Sequence, residues 1–274
     1  MTHPISLVHV NFRSAPHVGR DRTLELAATL YLSAANRSRP SPGLIVGHGA
    51  GSSRKRHDDF CREACRQGFV VLALDFRGHG DSSGSGDGPL EEDIFAAADL
   101  LRAHPAVDGQ RLCYRGSSMG GFYGLKAAPQ AGFVAIALLC PASEDTILRA
   151  LDDIEREYAD VERRYQGSAI GPDVAPPRWD TAELRSYFER QNSERLASQV
   201  KCPVLLVHAR EDEVVPFAHS LLLAGFLSTE TVLLALQGGT HTTAQHDPQI
   251  HRYTAAWLLE KVGGQGLNGR TERT

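Results

Sequence analysis

Ser118 lies in the pentapeptide GSSMG, residues 116–120, with one glycine two positions before it and another two positions after it. A serine with this spacing can act as a nucleophile on a sharp turn from strand to helix, where larger flanking side chains would collide. A frame centred on Ser117 fails, because it needs glycine where Arg115 stands. Since an apolar run precedes the pentapeptide and a helix-like segment follows it, the sequence predicts Ser118 as a nucleophile.

A serine hydroxyl needs a base to take its proton and an acid to orient that base. Asp212 follows the apolar run PVLLVHA, and His241 follows the last such run, TVLLALQ. Both residues therefore fall in loops at the carboxyl ends of predicted strands. The chain order Ser118, Asp212, His241 also matches a known order of nucleophile, acid and base. We predict that Asp212 orients His241 and that His241 is the general base.

Other acidic and imidazole side chains near these positions compete for the two roles. They are Glu211 and Glu213 beside the acid, and His208, His246 and His251 among the histidines. Asp212 is preferred because of the pattern of residues that follows it. His241 is preferred because it lies in a loop, whereas His251 falls inside a predicted helix and His246 immediately before it. His208 precedes the acid on a strand and is predicted to be a core histidine.

An oxyanion formed in acyl transfer needs two backbone N–H groups aimed at it. Met119, which follows the nucleophile, supplies one predicted donor. The segment GHGAGSS, residues 47–53, follows an earlier apolar run, and its glycines would let the backbone approach a ligand closely. Ala50 is predicted to supply the second N–H. The segment lacks the Lys and Ser/Thr spacing of a nucleotide-binding loop, which disfavours nucleotide binding.

Eight short apolar runs must position these residues, and several are apolar on consecutive residues, as in strands covered on both faces. Longer segments with helical spacing alternate with them at 53–67, 90–103, 119–130, 217–227 and 247–262. Alternating strands and helices predict an α/β fold with a mostly parallel, doubly wound sheet of eight strands. The first two runs have no helix between them, so an antiparallel pair is expected at that edge.

Residues 143–199 interrupt this alternation, because they contain charged helical stretches and a turn-rich middle but no convincing strand. We predict a helical cap inserted after strand 6 of a core built from residues 1–142 and 200–262. A surface excursion without contact to any site is the alternative. The polar, glycine-rich residues 263–274 are predicted to be disordered.

The 274 residues have a formal net charge of −4, which disfavours nucleic acid or an anionic membrane surface as a partner. The N-terminus has neither the cationic start nor the apolar core of a signal peptide, and no apolar stretch approaches the roughly 20 residues of a membrane span. Three of the five cysteines lie in strand-like runs, which is typical of reduced thiols. We expect a cytoplasmic protein with a small-molecule partner; the sequence leaves its oligomeric state open.

Five motifs together resemble the α/β-hydrolase-fold serine hydrolases. They are GHGAG, DFRGHGDSSG, GSSMGG, VKCPVLLVHAREDEVVP and GGTH, which match that family's oxyanion loop, post-strand-4 loop, nucleophile elbow, acid loop and histidine loop in order and spacing. The resemblance covers about residues 20–262. An insertion after strand 6 is similar to the lids of the serine aminopeptidase, monoglyceride lipase and cinnamoyl esterase branches. Aromatic residues of such a lid are candidates to line a pocket: Tyr158, Tyr165, Trp179, Tyr187 and Phe188.

The resemblance implies a carboxylesterase that forms an acyl-enzyme on Ser118 and uses no metal or organic cofactor. Two residues depart from relatives: Ser117 stands where many have histidine, and Ala50 replaces part of a triple-glycine loop. Peptidase, amidase, thioesterase and acyltransferase activities on the same residues stay open. A ligand-binding receptor or scaffold on the same fold is the non-enzymatic alternative.

Overall fold

A computed structural model describes residues 4–14, 23–34, 40–153 and 178–264. In these residues the chain builds one sheet between two helical layers. The strands are β1 (Ile5–Arg13), β2 (Glu25–Ser33), β3 (Ser41–Gly47), β4 (Val70–Leu74), β5 (Val107–Ser117), β6 (Ala135–Leu139), β7 (Val204–Ala209) and β8 (Thr231–Leu236). The helices are α1 (Asp58–Gln67), α2 (Glu91–Arg102), α3 (Met119–Ala131), α4 (144–153), α5 (Thr181–Phe188), α6 (Ser193–Gln199), α7 (Phe217–Phe226), α8 (His241–His246) and α9 (Pro248–Gly264).

The eight strands lie in the order β1-β2-β4-β3-β5-β6-β7-β8. β1 pairs antiparallel with β2, and β2 pairs antiparallel with β4, whereas the remaining pairs are parallel. The predicted fold class, a mostly parallel eight-stranded sheet with an antiparallel edge, is therefore confirmed. In a parallel sheet the carboxyl ends of the strands meet at one edge, which brings the loops after β3, β5, β6, β7 and β8 together.

Apolar side chains cover both faces of the central strands, because every residue of β4, β6 and β7 is buried. Their side chains alternate between two apolar layers. One layer packs the sheet against α2 and α3, and the other packs it against α1 and α9. A strand buried on both faces gains apolar burial from every residue, which explains the consecutive apolar runs in the sequence.

Helix α9 begins as its sequence predicts. Pro248 is its first residue, and the Asp247 carboxylate accepts a hydrogen bond from the Gln249 N–H at 2.6 Å. Pro at that position loses no intrahelical hydrogen bond, and the carboxylate satisfies one of the N–H groups that a helix start leaves unpaired. Among the described residues, no helix combines the length and the apolar character that crossing a bilayer would require.

The predicted cap, 143–199, is described only in part. α4 precedes a gap at 154–177, and α5 and α6 follow it. The stretch 181–198 forms two helices, because the Asn192 side chain accepts a hydrogen bond from the Arg195 N–H at 2.7 Å and starts α6. At the other end of the chain, α9 extends through Gly264, and the rest of the predicted disordered tail lies outside the described residues.

Candidate active site

Ser118 lies between the end of β5 and the first residue of α3, with φ 51° and ψ −116°. Such a left-handed backbone is costly for a residue with a side chain, and it turns the serine out of the strand. Glycine is required at both flanking positions, because a side chain there would collide with neighbouring backbone atoms. A Cβ on Gly116 would lie 2.3 Å from the Gly120 carbonyl oxygen, and one on Gly120 would lie 2.6 Å from that of His48. The backbone therefore has the shape of a nucleophile elbow.

Asp212 and His241 form the closest polar pair of the site. The His241 Nδ1–H donates to Asp212 Oδ2 at 2.7 Å, and the Asp212 side chain is fully buried. This bond fixes the tautomer and leaves Nε2 of the ring available to accept a proton. The pair can therefore orient a general base and stabilise the imidazolium that it becomes.

His241 is the first residue of helix α8, so the prediction that it lies in a loop is wrong. A capping box forms immediately before it. The Thr243 N–H donates to the Thr240 side chain, and the Thr240 N–H donates to Thr243 Oγ1 at 3.0 Å. These two bonds satisfy N–H groups at the helix start and hold the backbone of His241 at the end of β8.

Four N–H groups surround the Asp212 carboxylate. Oδ1 accepts from the backbone N–H groups of Val214 and Val215 at 2.9 and 2.8 Å. Oδ2 accepts from His241 and lies 3.2 Å from His208 Nε2. Burial works to raise the Asp212 pKa, but the hydrogen bonds from the two imidazoles and from Val215 outweigh it and hold the pKa well below its ordinary value. The acid is therefore ionised at neutral pH.

The competing side chains occupy other positions. Glu213 Oε2 accepts from the backbone N–H of His241 at 3.0 Å, so it holds the helix start and not the ring. Glu211 is exposed. The His246 ring stacks on His57 with centroids 5.4 Å apart, and His251 Nε2 lies 3.0 Å from the Gln245 carbonyl oxygen.

The end of β6 links the elbow to the histidine helix. The Ser118 N–H donates to the Leu139 carbonyl at 2.9 Å, and the next residue, Cys140, places its Sγ 3.8 Å from the His241 carbonyl oxygen. Ser118 and Cys140 are the two residues other than glycine with positive φ in the described part of the chain. Leu139, the last residue of β6, thus contacts the predicted nucleophile, and Cys140, the next residue, contacts the predicted base.

The loop after β3 packs against the elbow. A Cβ on Gly49 would lie 3.2 Å from the Ser118 Cβ, and the Gly120 N–H donates to the His48 carbonyl at 3.1 Å. His48 Nε2 accepts from the Phe76 N–H at 3.1 Å, so its Nδ1 donates to the Gly49 carbonyl at 2.8 Å. Burial lowers the His48 pKa to about 4 and keeps the ring neutral. These bonds hold the loop that contains Ala50 beside the elbow.

A cavity of about 100 Å³ opens at the elbow. Ser118 and the two residues with predicted oxyanion N–H groups, Ala50 and Met119, lie in its wall. The complete set of described lining residues is Ala50, Ser118, Met119, Tyr123, Ala142, Thr146, Ile147, Ala150, Leu151, Trp179, Leu184, Phe188 and Val214. Of the aromatic candidates of the predicted cap, Trp179 and Phe188 line it, Tyr187 does not, and Tyr158 and Tyr165 lie outside the described residues.

Cys140, Asp212 and His241 have ligand atoms within 4.8 Å of one another, a spacing that a metal ion could bridge. Two of these groups already bond to each other through Nδ1 and Oδ2. Burial also raises the pKa of the Cys140 thiol, whereas a metal needs the thiolate. The group therefore fits a hydrogen-bonded acid and base better than a metal site. Sequence reasoning missed Cys140, whose approach depends on which strands are neighbours, and the contact of His208 with the acid, which depends on how the turn after β7 folds back.

Comparison with known proteins places the chain in a family. Residues 60–265 match the model of the prolyl oligopeptidase family. An uncharacterized peptidase of Bacillus subtilis, YtmA, is 32% identical over 161 residues, which span 57% of each chain. The human mitochondrial palmitoyl-protein thioesterase ABHD10 is 24% identical over 241 residues, or 81% of this chain and 74% of that protein.

A solved structure of Est1E from Butyrivibrio proteoclasticus with ferulic acid bound superposes with a TM-score of 0.68. It is 21% identical, and the match covers 92% of this chain and 99% of that one. At this identity the likeness supports the fold alone. Together, the elbow, the strand order and the family match show that this chain belongs to the prolyl oligopeptidase family of α/β-hydrolase-fold serine hydrolases.

Proposed function

We propose that this protein hydrolyses carboxylic esters of small molecules through an acyl-enzyme on Ser118. The observation that supports this best is the 2.7 Å hydrogen bond between His241 and Asp212, together with the strained elbow that carries Ser118 at the end of β5. Ser118 is the nucleophile, His241 the base and Asp212 the group that orients it. The N–H groups of Ala50 and Met119 stabilise the oxyanion, and the scheme needs no metal or organic cofactor.

The proton moves in two symmetrical stages. His241 Nε2 takes the Ser118 proton as Oγ bonds to the ester carbonyl carbon, and the imidazolium then returns that proton to the leaving alkoxide. Water next attacks the acyl-enzyme, giving one proton to Nε2, and the ring returns it to Ser118 as the acid leaves. Helix α3 begins at Met119, whose N–H has no intrahelical acceptor and is free for the oxyanion.

Ester cleavage is preferred over amide cleavage because an alkoxide leaves more readily than an amine. A thioesterase is the second candidate, since a thiolate also leaves readily and a relative of this chain is a palmitoyl-protein thioesterase. Peptidase activity is the alternative suggested by the family and by YtmA. The five free thiols, four of them buried, favour the cytoplasm as the compartment.

A substrate panel with one shared acyl group tests the proposal. Matched p-nitrophenyl ester, thioester and p-nitroanilide substrates are compared for the wild-type protein and Ser118→Ala. We expect the ester and thioester to turn over, the anilide to be at least about 100-fold slower, and Ser118→Ala to lose about 10⁴-fold in kcat/KM. Circular dichroism checks that the variant folds. Turnover unchanged in the folded variant, or a preference for the anilide, would overturn the proposal.

A further inference from the structure

In the described part of the chain, the cavity beside Ser118 has an uncharged lining, and the Arg149 guanidinium is bonded at 3.4 Å to the Thr146 hydroxyl of that lining. None of its described lining residues has a carboxylate, an ammonium or a guanidinium group. Its two hydroxyls besides that of Ser118 are already bonded. The Tyr123 hydroxyl donates to the Gly88 carbonyl at 2.7 Å, and Thr146 Oγ1 lies 2.9 Å from Ser143 Oγ. A charged group placed there would lose its water shell without gaining a partner.

Burial divides the cavity into a mouth and a floor. Ala50, Ala150 and Val214 are exposed at the mouth, and Ser118 is half-buried. Six lining residues are almost wholly inaccessible to solvent: Met119, Tyr123, Ala142, Leu151, Leu184 and Phe188. The floor is the part of this set formed by Tyr123, Leu151, Leu184 and Phe188. A chain attached at Ser118 therefore passes from a half-exposed oxygen to an apolar floor contributed by α3, α4 and α5.

We infer that the site accepts uncharged, apolar acyl groups and rejects acyl groups with a charge at their far end, aminoacyl and peptidyl groups included. This inference rests on the proposed acyl-enzyme mechanism and names its substrate class, which differs from the peptides suggested by the family name. Each CH₂ group moved from water into the floor contributes about 0.8 kcal/mol, or about fourfold in kcat/KM, until the floor is filled.

Acyl esters of one leaving group measure this selection. The probes are p-nitrophenyl acetate, butyrate, hexanoate and octanoate, with 6-(trimethylammonio)hexanoate as the charged match of hexanoate. We expect kcat/KM to rise with chain length and then level or fall, and the charged ester to be at least about 100-fold poorer than hexanoate. A rate independent of acyl chain length, or equal use of the charged and uncharged hexanoate esters, would overturn the inference.

Leu184→Ala separates the floor from the chemistry. The variant enlarges the floor, so the best acyl chain becomes longer by about two carbons, and circular dichroism checks that the variant folds. Leu221→Ala, on the exposed face of α7, is the matched control and leaves the length profile unchanged. A wild-type protein that cleaves no ester at all contradicts the proposed function. Turnover without length or charge selection contradicts only the inference about the floor.

A second observation, independent of the cavity, concerns His208 at the end of β7. Its ring is fully buried, and its Nε2 lies 2.9 Å from the Val215 carbonyl oxygen and 3.2 Å from Asp212 Oδ2. A carbonyl oxygen can only accept, so Nε2 must be protonated and its hydrogen points at both oxygens. Nδ1 of the neutral ring then accepts from the Ser220 hydroxyl at 2.7 Å. The tautomer is thus set by two partners on opposite sides.

The groups around the Asp212 carboxylate allow the His208 N–H to act on its pKa. The titratable groups that face the carboxylate are His208, His241 and Cys140, and the Glu213 carboxylate bonds to the His241 backbone. Among them, the hydrogen bond from His208 lowers the Asp212 pKa at least as strongly as the hydrogen bond from His241, whose nearby charge lowers it further. Its N–H adds a fourth hydrogen bond to those from Val214, Val215 and His241 and draws negative charge on Oδ2 away from the His241 ring.

We propose that His208 is a positioning residue that holds the Asp212 carboxylate in line with His241. Without the His208 N–H, Asp212 Oδ2 presents more negative charge to the His241 ring, and this charge stabilises the His241 imidazolium. The acid limb of the plot of kcat/KM against pH therefore moves to higher pH. The carboxylate also keeps only three of its four N–H partners and is held less tightly in line with His241, so kcat falls by about tenfold while KM for the same ester stays within twofold.

Two amide variants test the donor without removing polarity. The amide nitrogen of His208→Gln reaches the position of Nε2, whereas that of His208→Asn reaches only the position of Nδ1. We expect Gln to keep the wild-type acid limb and most of kcat, and Asn to shift the limb upward by about half a pH unit. Asn and Gln variants with equal profiles, or an Asn variant with the wild-type profile, would overturn the proposal. Ser220→Ala removes the hydroxyl that bonds to His208 Nδ1 and provides a second check. We expect its acid limb to shift in the same direction as that of the Asn variant, by a smaller amount.

Discussion

The loops at the carboxyl ends of the strands and the segment 181–199 are held to the core in different ways. Backbone groups hold the loops: the Ser118 N–H bonds to Leu139, the Gly120 N–H to His48 and the Asp212 N–H to Ala209. Backbone bonds to Gly78 and Gly86 also hold residues 178–180, which precede the segment. Side chains hold the segment itself. The Tyr187 hydroxyl donates to Glu91 Oε2 at 2.8 Å, and aromatic rings pack beneath it.

The difference assigns separate tasks to the two regions. Backbone hydrogen bonds hold the reacting groups of the loops in position to within a bond length. They can do so with many different side chains around them. Side-chain packing shapes a cavity, and substitution changes that shape without moving the elbow. We therefore expect changes in the loops to alter the rate for every substrate, and changes in the segment to alter stability and selectivity.

The largest effect is expected for Asp212→Asn. An amide presents the wrong hydrogen-bonding pattern to His241 Nδ1, and kcat falls by about 10⁴-fold for all esters. Steady-state kinetics with two acyl lengths measure this. Glu211→Gln, at the exposed neighbouring position, is the control and keeps kcat within about twofold. Activity above a tenth of wild type in Asp212→Asn, with a large loss in Glu213→Gln, would transfer the role of the acid to Glu213.

Phe188→Ala should affect stability and leave the elbow in place. The Phe188 ring is fully buried, with its centroid 5.0 Å from that of Phe122 and 6.0 Å from that of Tyr123. Truncation removes these contacts and leaves a void, which lowers the free energy of unfolding by about 3–5 kcal/mol. Urea unfolding measures the change, with exposed Phe226→Ala as the control. Equal stability in the two variants would show that the segment does not depend on this packing.

Acid should destabilise the loops through their buried histidines. Burial lowers the pKa of His48 to about 4 and that of His79 to about 3, whereas both titrate near 6.5 in the unfolded chain. The unfolded state therefore binds more protons below pH 6.5, and stability falls as the pH drops from about 6.5 to 4. Each ring contributes a loss on the order of 3 kcal/mol. Urea unfolding at pH 7, 5.5 and 4.5 measures the slope; a flat profile would contradict the buried, neutral assignment.

Tyr187→Phe is expected to have the smallest effect. It removes one hydrogen bond to Glu91, and Lys126 Nζ still lies 3.3 Å from the Glu91 Oε1 atom. A loss of about 1–3 kcal/mol in the free energy of unfolding is expected, with kcat unchanged for p-nitrophenyl acetate. Tyr253→Phe, on the exposed side of α9, is the control. A fall in kcat without a fall in stability would connect this contact to the chemistry and weaken the contrast between the regions.

The fold could be predicted because its signals are local. Strands buried on both faces require consecutive apolar residues, as in VVLAL of β4, and the elbow requires the glycines whose added Cβ atoms would meet backbone. The start of α9 is likewise encoded by adjacent residues, Asp247 and Pro248. Ser118, Asp212 and His241 follow from the ends of such strands. Their joint role in catalysis stays a prediction.

Other features depend on contacts that spacing does not encode. Helix α8 was not predicted because its box uses threonine at both positions, where the common signal has Glu or Gln at the second. Cys140 approaches the acid because β6 and β7 are neighbours in the sheet, with the Cys140 N–H bonded to the Val207 carbonyl at 2.8 Å. His208 reaches Asp212 because the turn after β7 folds back on the strand end. The apolar floor similarly joins side chains of three helices far apart in the chain.

The central claim is that Ser118 is an activated nucleophile. Incubation with a fluorophosphonate followed by peptide mass spectrometry tests it most directly, because the reagent bonds to serines whose base and oxyanion donors are in place. We predict one adduct per chain, located on Ser118, which is absent in Ser118→Ala and forms far more slowly in Asp212→Asn. A folded wild-type protein that stays unlabelled, or that is labelled on Ser117 instead, would contradict the account.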